Sequence, residues 1–457
     1  MKPQFNFDSS VFGTLALSIL LSPLLFGMHS QARATDVIEF VDYGDPNPEK
    51  VYLGKLLFHD KSLSGNRNIS CATCHHALTD TGDGLSLPVG EGGNGLGVTR
   101  NTGNGIDAIH ERVPRNAPPI FMLGSKEVTR LFHDGRVEID SKYPSGFKSP
   151  AGYELPEGLE NILAVQVMFP VTSAAEMAGQ SGENEIADAV QVTLTDVWDI
   201  LAQRLQSIPG YVDLFIDVFD DISDYGDITF VHAANAIAAF EIDAWRANHS
   251  PWDAYLAGNS QALSKIERRG AKLFFGKAGC SACHSGAILS DMEFHAIAMP
   301  QIGPGKGDGI DGLEDYGRYR ETNSARDMYA FRTPPLRNIA LTAPYGHSGA
   351  YDTLKEVVRH HADPVAALWK YHDEDYCRVK PVMPSREDLN AIDCKLMDDP
   401  ARVQAIADAA TGFNVVELTE SEITEIVAFL NALTDKSTID LRADVPSSLP
   451  SGESLVE

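Results

Sequence analysis

Past residue 26 the sequence has no apolar run long enough to cross a bilayer, so the later chain predicts no membrane span. Positive charge is also short: 37 Lys and Arg against 64 Asp and Glu leave a net charge of -27. Binding along nucleic acid is thereby excluded, because phosphates need a cationic face to replace their counterions. Acidity keeps such a chain soluble, and any electrostatic partner would be basic. Strand-like alternation is scarce, and cysteine is limited to six positions in 457 residues.

Near the start, Lys2, an apolar stretch from Val11 to Phe26 and Ala32-Arg33-Ala34 read as a secretory signal with cleavage before Thr35. An uncleaved anchor is the alternative, but Gly13, Ser18, Ser22 and Pro23 interrupt the run. The expectation is a periplasmic protein, exported by the segment 1-34 and not stably inserted in the membrane afterwards.

Four of the six cysteines fall in Cys71-Ala72-Thr73-Cys74-His75 and Cys280-Ser281-Ala282-Cys283-His284. In this pattern the two thiols bond to haem vinyl groups and the histidine reaches the iron. Two covalently attached haems c follow, with His75 and His284 as proximal ligands. Cys377 and Cys394 remain; in an oxidising compartment a disulfide is expected, with a metal site as the alternative.

Gly54-Lys55-Leu56-Leu57-Phe58 precedes the first motif much as Gly270-Ala271-Lys272-Leu273-Phe274 precedes the second. The spacing predicts a helix leading into each haem, with Tyr52, Leu53, Leu56, Leu57, Ile266, Leu273 and Phe274 as core. Ile228 to Trp245 reads as a buried helix, and Thr419 with Glu422 caps an amphipathic helix that runs to Leu433. The fold expected is mainly α, with two cytochrome c-like haem domains and long glycine-containing loops. Their expected bounds are 35-226 and 227-435, followed by a surface or disordered tail, 436-457.

These motifs, with Arg115-Asn116-Ala117-Pro118, Phe132-His133-Asp134-Gly135-Arg136, Pro170, Glu176-Met177, Phe331-Arg332-Thr333-Pro334-Pro335-Leu336-Arg337-Asn338 and Pro344-Tyr345-Gly346-His347, resemble bacterial dihaem cytochrome c peroxidases and the related MauG. The resemblance spans about residues 50-435. It implies a peroxide-reactive first haem with Pro170 and Glu176 on its distal side, where a carboxylate can take and return a proton as the O-O bond breaks. It also implies a calcium ion held by Asn116, Thr342 and Pro344, oxygen donors suited to a hard cation.

The chain departs from the peroxidase pattern in three places. Family peroxidases usually carry a blocking histidine in the loop after the first motif, but residues 85-93 hold none, which implies an open first iron; the alternative is that His110, further along, intrudes. The second haem's methionine (a tyrosine in MauG) is matched by His361, or by His360 one position earlier. Between the haems, where many relatives have tryptophan, stands His133, read either as an electron relay or as an orienting hydrogen-bond partner.

The activity implied is a dihaem oxidoreductase that uses hydrogen peroxide to form high-valent haem iron and oxidises a partner, a protein in the MauG-like case. The alternatives are a cytochrome c peroxidase fed by a small redox protein, and a non-enzymatic electron-transfer cytochrome. A homodimer stays open.

Overall fold

Asn47 accepts hydrogen bonds from the amides of Glu49 and Lys50, and with Pro48 in the first turn it starts helix α1, Pro48–Phe58. The computed structural model describes residues 40-410 and 412-455, so the expected signal segment lies outside the described residues. Helix α2, Phe230–Ala244, crosses α1 and is buried along most of its length. Their contact is close because Gly54 has no side chain: a Cβ there would come within 1.8 Å of the Ala236 carbonyl oxygen.

The same crossing recurs in the second half. A Ser264–Glu267 capping box opens α3, Lys265–Phe274, and a Thr419–Glu422 box opens the last long helix, Glu420–Asn431. Gly270 of α3 lies against that helix, and a Cβ there would sit 1.8 Å from the Glu425 carbonyl oxygen. The repeat seen in the sequence is therefore a repeated helix crossing, with glycine at the point of nearest approach. Gly270→Ala is expected to destabilise the holoprotein by at least about 1–3 kcal/mol, the usual cost of overpacking, read as a lowered Tm.

Leu53, Leu56, Leu57 and Phe58 join Ile237 and Phe240 in one core, while Phe274 joins Ile426, Phe429 and Leu433 in another. Two residues expected in these cores lie outside them: Tyr52 is 49% exposed and Ile266 37%. Each helix turns its glycine to the crossing partner, and both side chains lie outside the buried set of their helix. Although α2 follows residue 226 in sequence, it packs into the first core, and the tail returns to bury Leu441 and Leu449 there as well.

Helix dominates and strands are short. Arg130–Leu131, Val137–Ile139 and Phe147–Lys148 form one antiparallel sheet, and Phe294–His295 pairs with Phe331–Arg332. Long loops join these elements. Among the described residues no helix is long and apolar enough to cross a membrane.

Candidate active site

Cys71–Cys74 is a single helical turn, and the His75 that ends it donates from Nδ1 to the Thr81 carbonyl, 3.0 Å away. His284 repeats this arrangement, with Nδ1 3.0 Å from the Leu289 carbonyl. A carbonyl can only accept, so each ring carries its proton on Nδ1 and keeps the Nε2 lone pair for a metal. Burial lowers the pKa of both, His284 to about 4, and so keeps them neutral as ligation requires. Cys377 and Cys394 are joined in a disulfide, whereas the four motif cysteines are not.

Helix α4, Leu354–Ala362, brings His361 opposite His284, with ring centres 6.4 Å apart. With metal–nitrogen bonds of about 2 Å, two imidazoles sharing one ion stand roughly 6 Å apart centre to centre, so the pair fits a shared iron. Nδ1 of His361 is taken by the Val357 carbonyl, which leaves Nε2 as the donor atom. His360 is turned elsewhere. Its Nε2 donates to the Ile297 carbonyl at 2.7 Å and its Nδ1 accepts from the Tyr351 hydroxyl at 3.0 Å, so neither nitrogen has a lone pair to offer.

On the first half, Glu176 lies in the π-helical turn Ala174–Ala178, just after the 3-10 turn that Pro170 opens. The amides of Glu176, Met177 and Ala178 all point at the Ser173 carbonyl, while the carbonyls of Ala175 and Met177 accept from Glu91 and Gly65. These backbone bonds hold the turn without using the Glu176 carboxylate. Lys306, from a glycine-rich loop of the second half, shares this electrostatic environment. Its pKa is lowered by burial and by Arg115 and Arg136, while Glu176 and Asp315 act the other way. His110 pairs with Glu183 at 3.1 Å on the exposed surface.

Between the halves Arg115 bonds Asp134 at 2.6 Å through Nη1 and grips Asp315 with two further bonds, of 2.6 and 2.8 Å. All three side chains are at most 7% exposed. Burial disfavours ionised carboxylates, but the guanidinium outweighs it: Asp134 falls far below its usual value and Asp315 falls to about 2. Because these folded values lie below the unfolded ones, the resulting stability is present above about pH 4 and is lost as pH falls toward 2. Arg115→Leu strands buried Asp315 and leaves Asp134 with Arg136 alone, and is expected to cost about 3–5 kcal/mol, with a flatter acid limb in denaturation measured from pH 5 to 2.

His133 lies beside this network. Its Nε2 donates to the Asn116 carbonyl at 3.1 Å, and burial followed by the Arg115 charge pulls its pKa down to about 4, so it is neutral. The Asn116 side-chain amide donates to the carbonyls of Leu85 and Ser86, so Oδ1, with no hydrogen bond among the described residues, is the atom it could offer a cation. Its backbone amide bonds the His347 carbonyl, in the turn that follows Thr342 and Pro344. His347 stacks on Phe331 at 3.6 Å, and neither of its buried ring nitrogens has a hydrogen-bond partner among the described residues. Such nitrogens call for a polar group from outside the chain, as a bound cofactor would supply.

A family described as di-haem cytochrome c peroxidase matches residues 48–261. The chain is 30% identical over 306 residues to the cytochrome c551 peroxidase of Pseudomonas aeruginosa, covering 67% of this chain and 69% of the relative. The chain belongs to the di-haem cytochrome c peroxidase family. It is also 29% identical over 316 residues to the methylamine utilization protein MauG of Methylorubrum extorquens, covering 69% of each. Among solved structures, a MauG-like protein associated with microbial copper homeostasis matches with a TM-score of 0.56 and 27% identity, covering 88% of this chain and 94% of that one. The chain is thus a dihaem peroxidase or oxidase of the cytochrome c peroxidase and MauG type, and haem is its cofactor.

The family landmarks now have physical explanations. Arg115 and Asp134 meet each other, and Gly135 leaves room for Phe294, whose ring would lie 2.2 Å from a Cβ at that position. Sequence reasoning missed Ser86, Arg112, Lys306 and Asp393. Each acts across more than 100 residues, and nothing local to any of them signals its partner.

Proposed function

We propose that this family member is a periplasmic enzyme that takes hydrogen peroxide at the His75 haem and oxidises a partner protein, in the manner of MauG. The observation that carries the reading is the inequality of the two sites. His284 is faced by a second imidazole at ligand spacing, while the first motif is followed by no histidine in residues 85-93. Bound at these positions, the two haems would supply the redox chemistry by which peroxide is reduced and a partner is oxidised.

The residues of the chain have separate tasks in this reading. His75 and His284, set by their Nδ1–carbonyl bonds, present Nε2, and His361 closes the second site. Glu176, on a turn held by backbone bonds, takes a proton from one peroxide oxygen and returns it to the departing one. Pro170 shapes the approach to that turn. Neutral His133, bonded to Asn116, meets the second half through its carbonyl, which accepts from the Arg332 amide, and Asn116 Oδ1 with the Thr342 and Pro344 carbonyls would hold calcium.

A cytochrome c peroxidase fed by a small redox protein is the second reading, and the relative from Pseudomonas aeruginosa favours it. Incubating the holoprotein with peroxide and basic, tryptophan-bearing proteins separates the two. Oxidised tryptophan in the partner supports the first, and fast steady turnover with a small cytochrome or copper protein supports the second. Low-spin signals from both ferric haems, with no carbon monoxide binding after reduction, would leave only an electron carrier.

A further inference from the structure

The segment that follows the first haem motif is built into the second half of the chain. Leu85 and Val89 pack with Ile109 and with Leu389, and Leu87, fully buried, enters the core that holds Tyr351, Cys377, Cys394 and Met397. Ser86 binds the second half three times: its amide to the Val382 carbonyl at 2.8 Å, its hydroxyl to the Gly349 carbonyl at 2.7 Å, and the Val382 amide to its hydroxyl at 3.0 Å. At the far end of the segment Arg112, 1% exposed, places Nε and Nη2 within 3.1 to 3.2 Å of the Asp393 carboxylate. It also donates to the Pro384 carbonyl at 2.9 Å.

Every one of the hydrogen-bond partners of Ser86 and Arg112 named here except Gly349 lies between Cys377 and Cys394, and Asp393 is the residue before the second cysteine. The disulfide therefore closes the stretch of chain that grips residues 85-112. That grip extends to the Glu176 turn. The Glu91 amide donates to the Ala175 carbonyl at 3.0 Å, and a Cβ on Gly90 would lie 2.1 Å from the same oxygen. The Glu91 carboxylate in turn accepts from Asn66 and Asn68, just ahead of Cys71.

We propose that the disulfide-closed segment 377-394 is a positioning element for the first haem site: through Asp393–Arg112 and Val382–Ser86 it holds residues 85-93 in the arrangement on which the Glu176 turn rests. It rests on the reading of that turn as the peroxide-facing side. No residue of the segment touches the reacting atoms. Its effect passes through Glu91 and Gly90, and it replaces freedom in a glycine-rich loop with bonds to a cross-linked frame.

The test uses haem-loaded Arg112→Ala, Arg112→Lys, Ser86→Ala and Cys377→Ala/Cys394→Ala proteins. Amide hydrogen exchange is followed in residues 85-93 and 174-178, beside the ferric spectra of the two haems. The Arg112→Ala and double-cysteine variants are expected to exchange at least tenfold faster in both stretches. The first haem's spectrum should become heterogeneous while the low-spin spectrum of the second stays unchanged. Arg112→Lys, which keeps one charged contact, should fall between parent and alanine.

Unchanged protection of residues 85-93 in these variants overturns the proposal, and so does faster exchange with the first haem's spectrum intact. If the double-cysteine variant does not fold, Ser86→Ala and Arg112→Lys carry the same two readouts. A parent protein that fails to react with peroxide overturns the proposed function instead, because exchange and spectra are read without peroxide.

Discussion

Glu176→Gln is expected to leave both haems attached and to slow the reaction with peroxide by about 100-fold or more, within the range that a positioned proton carrier supplies. Glutamine matches glutamate in size and still hydrogen-bonds, but it cannot take a proton and give it back. The turn that carries residue 176 should survive, since its bonds run to the carbonyls of Ser173, Ala175 and Met177 and none of them involves the carboxylate. Stopped-flow spectra of parent and variant holoproteins over a range of peroxide concentrations measure the effect. A loss below tenfold would remove Glu176 from the proton path and shift attention to Lys306, whose charge senses the same space.

The second large effect belongs to His361→Met, which should raise the reduction potential of the second haem by on the order of 100–200 mV, a fraction of the ~0.8 V that axial ligation spans. A thioether favours the reduced iron, whereas a second imidazole favours the ferric state. The substitution therefore moves the site toward one that accepts electrons readily from a high-potential donor. His360→Gln is the internal control: it removes bonds to Tyr351 and Ile297 but leaves the ring facing His284 in place. Potentiometric titration followed optically reads both variants. If His361→Met leaves the potential unchanged and His360→Gln shifts it, the ligand assignment is reversed.

Local chemistry was legible along the chain. Each Cys-x-x-Cys-His motif carries its own candidate ligand, and the helices before the motifs announce themselves through spacing and caps. The exposure of Tyr52 and Ile266 was not legible, because apolar periodicity marks a face and does not say how wide a stripe the crossing partner covers. The register of the resemblance, counted from His347, favoured His361 over His360 but did not show which ring points inward. Adjacent residues on a helix point about 100° apart, and only the positions of Tyr351, Ile297 and His284 decide which ring stands opposite His284.

By itself the sequence displayed two Cys-x-x-Cys-His motifs, named His75 and His284 as the candidate proximal ligands, and showed that residues 85-93 hold no histidine. Such facts rest on bonds and absences within a few residues. Tertiary structure alone decided that Arg115 ties Asp134 to Asp315, that His361 is the ring opposite His284, and that a cross-linked segment nearly 300 residues downstream grips Ser86 and Arg112. Those contacts join groups that burial forces to find partners, and a buried charge or hydroxyl is satisfied by whatever the fold brings near, which one-dimensional spacing does not encode.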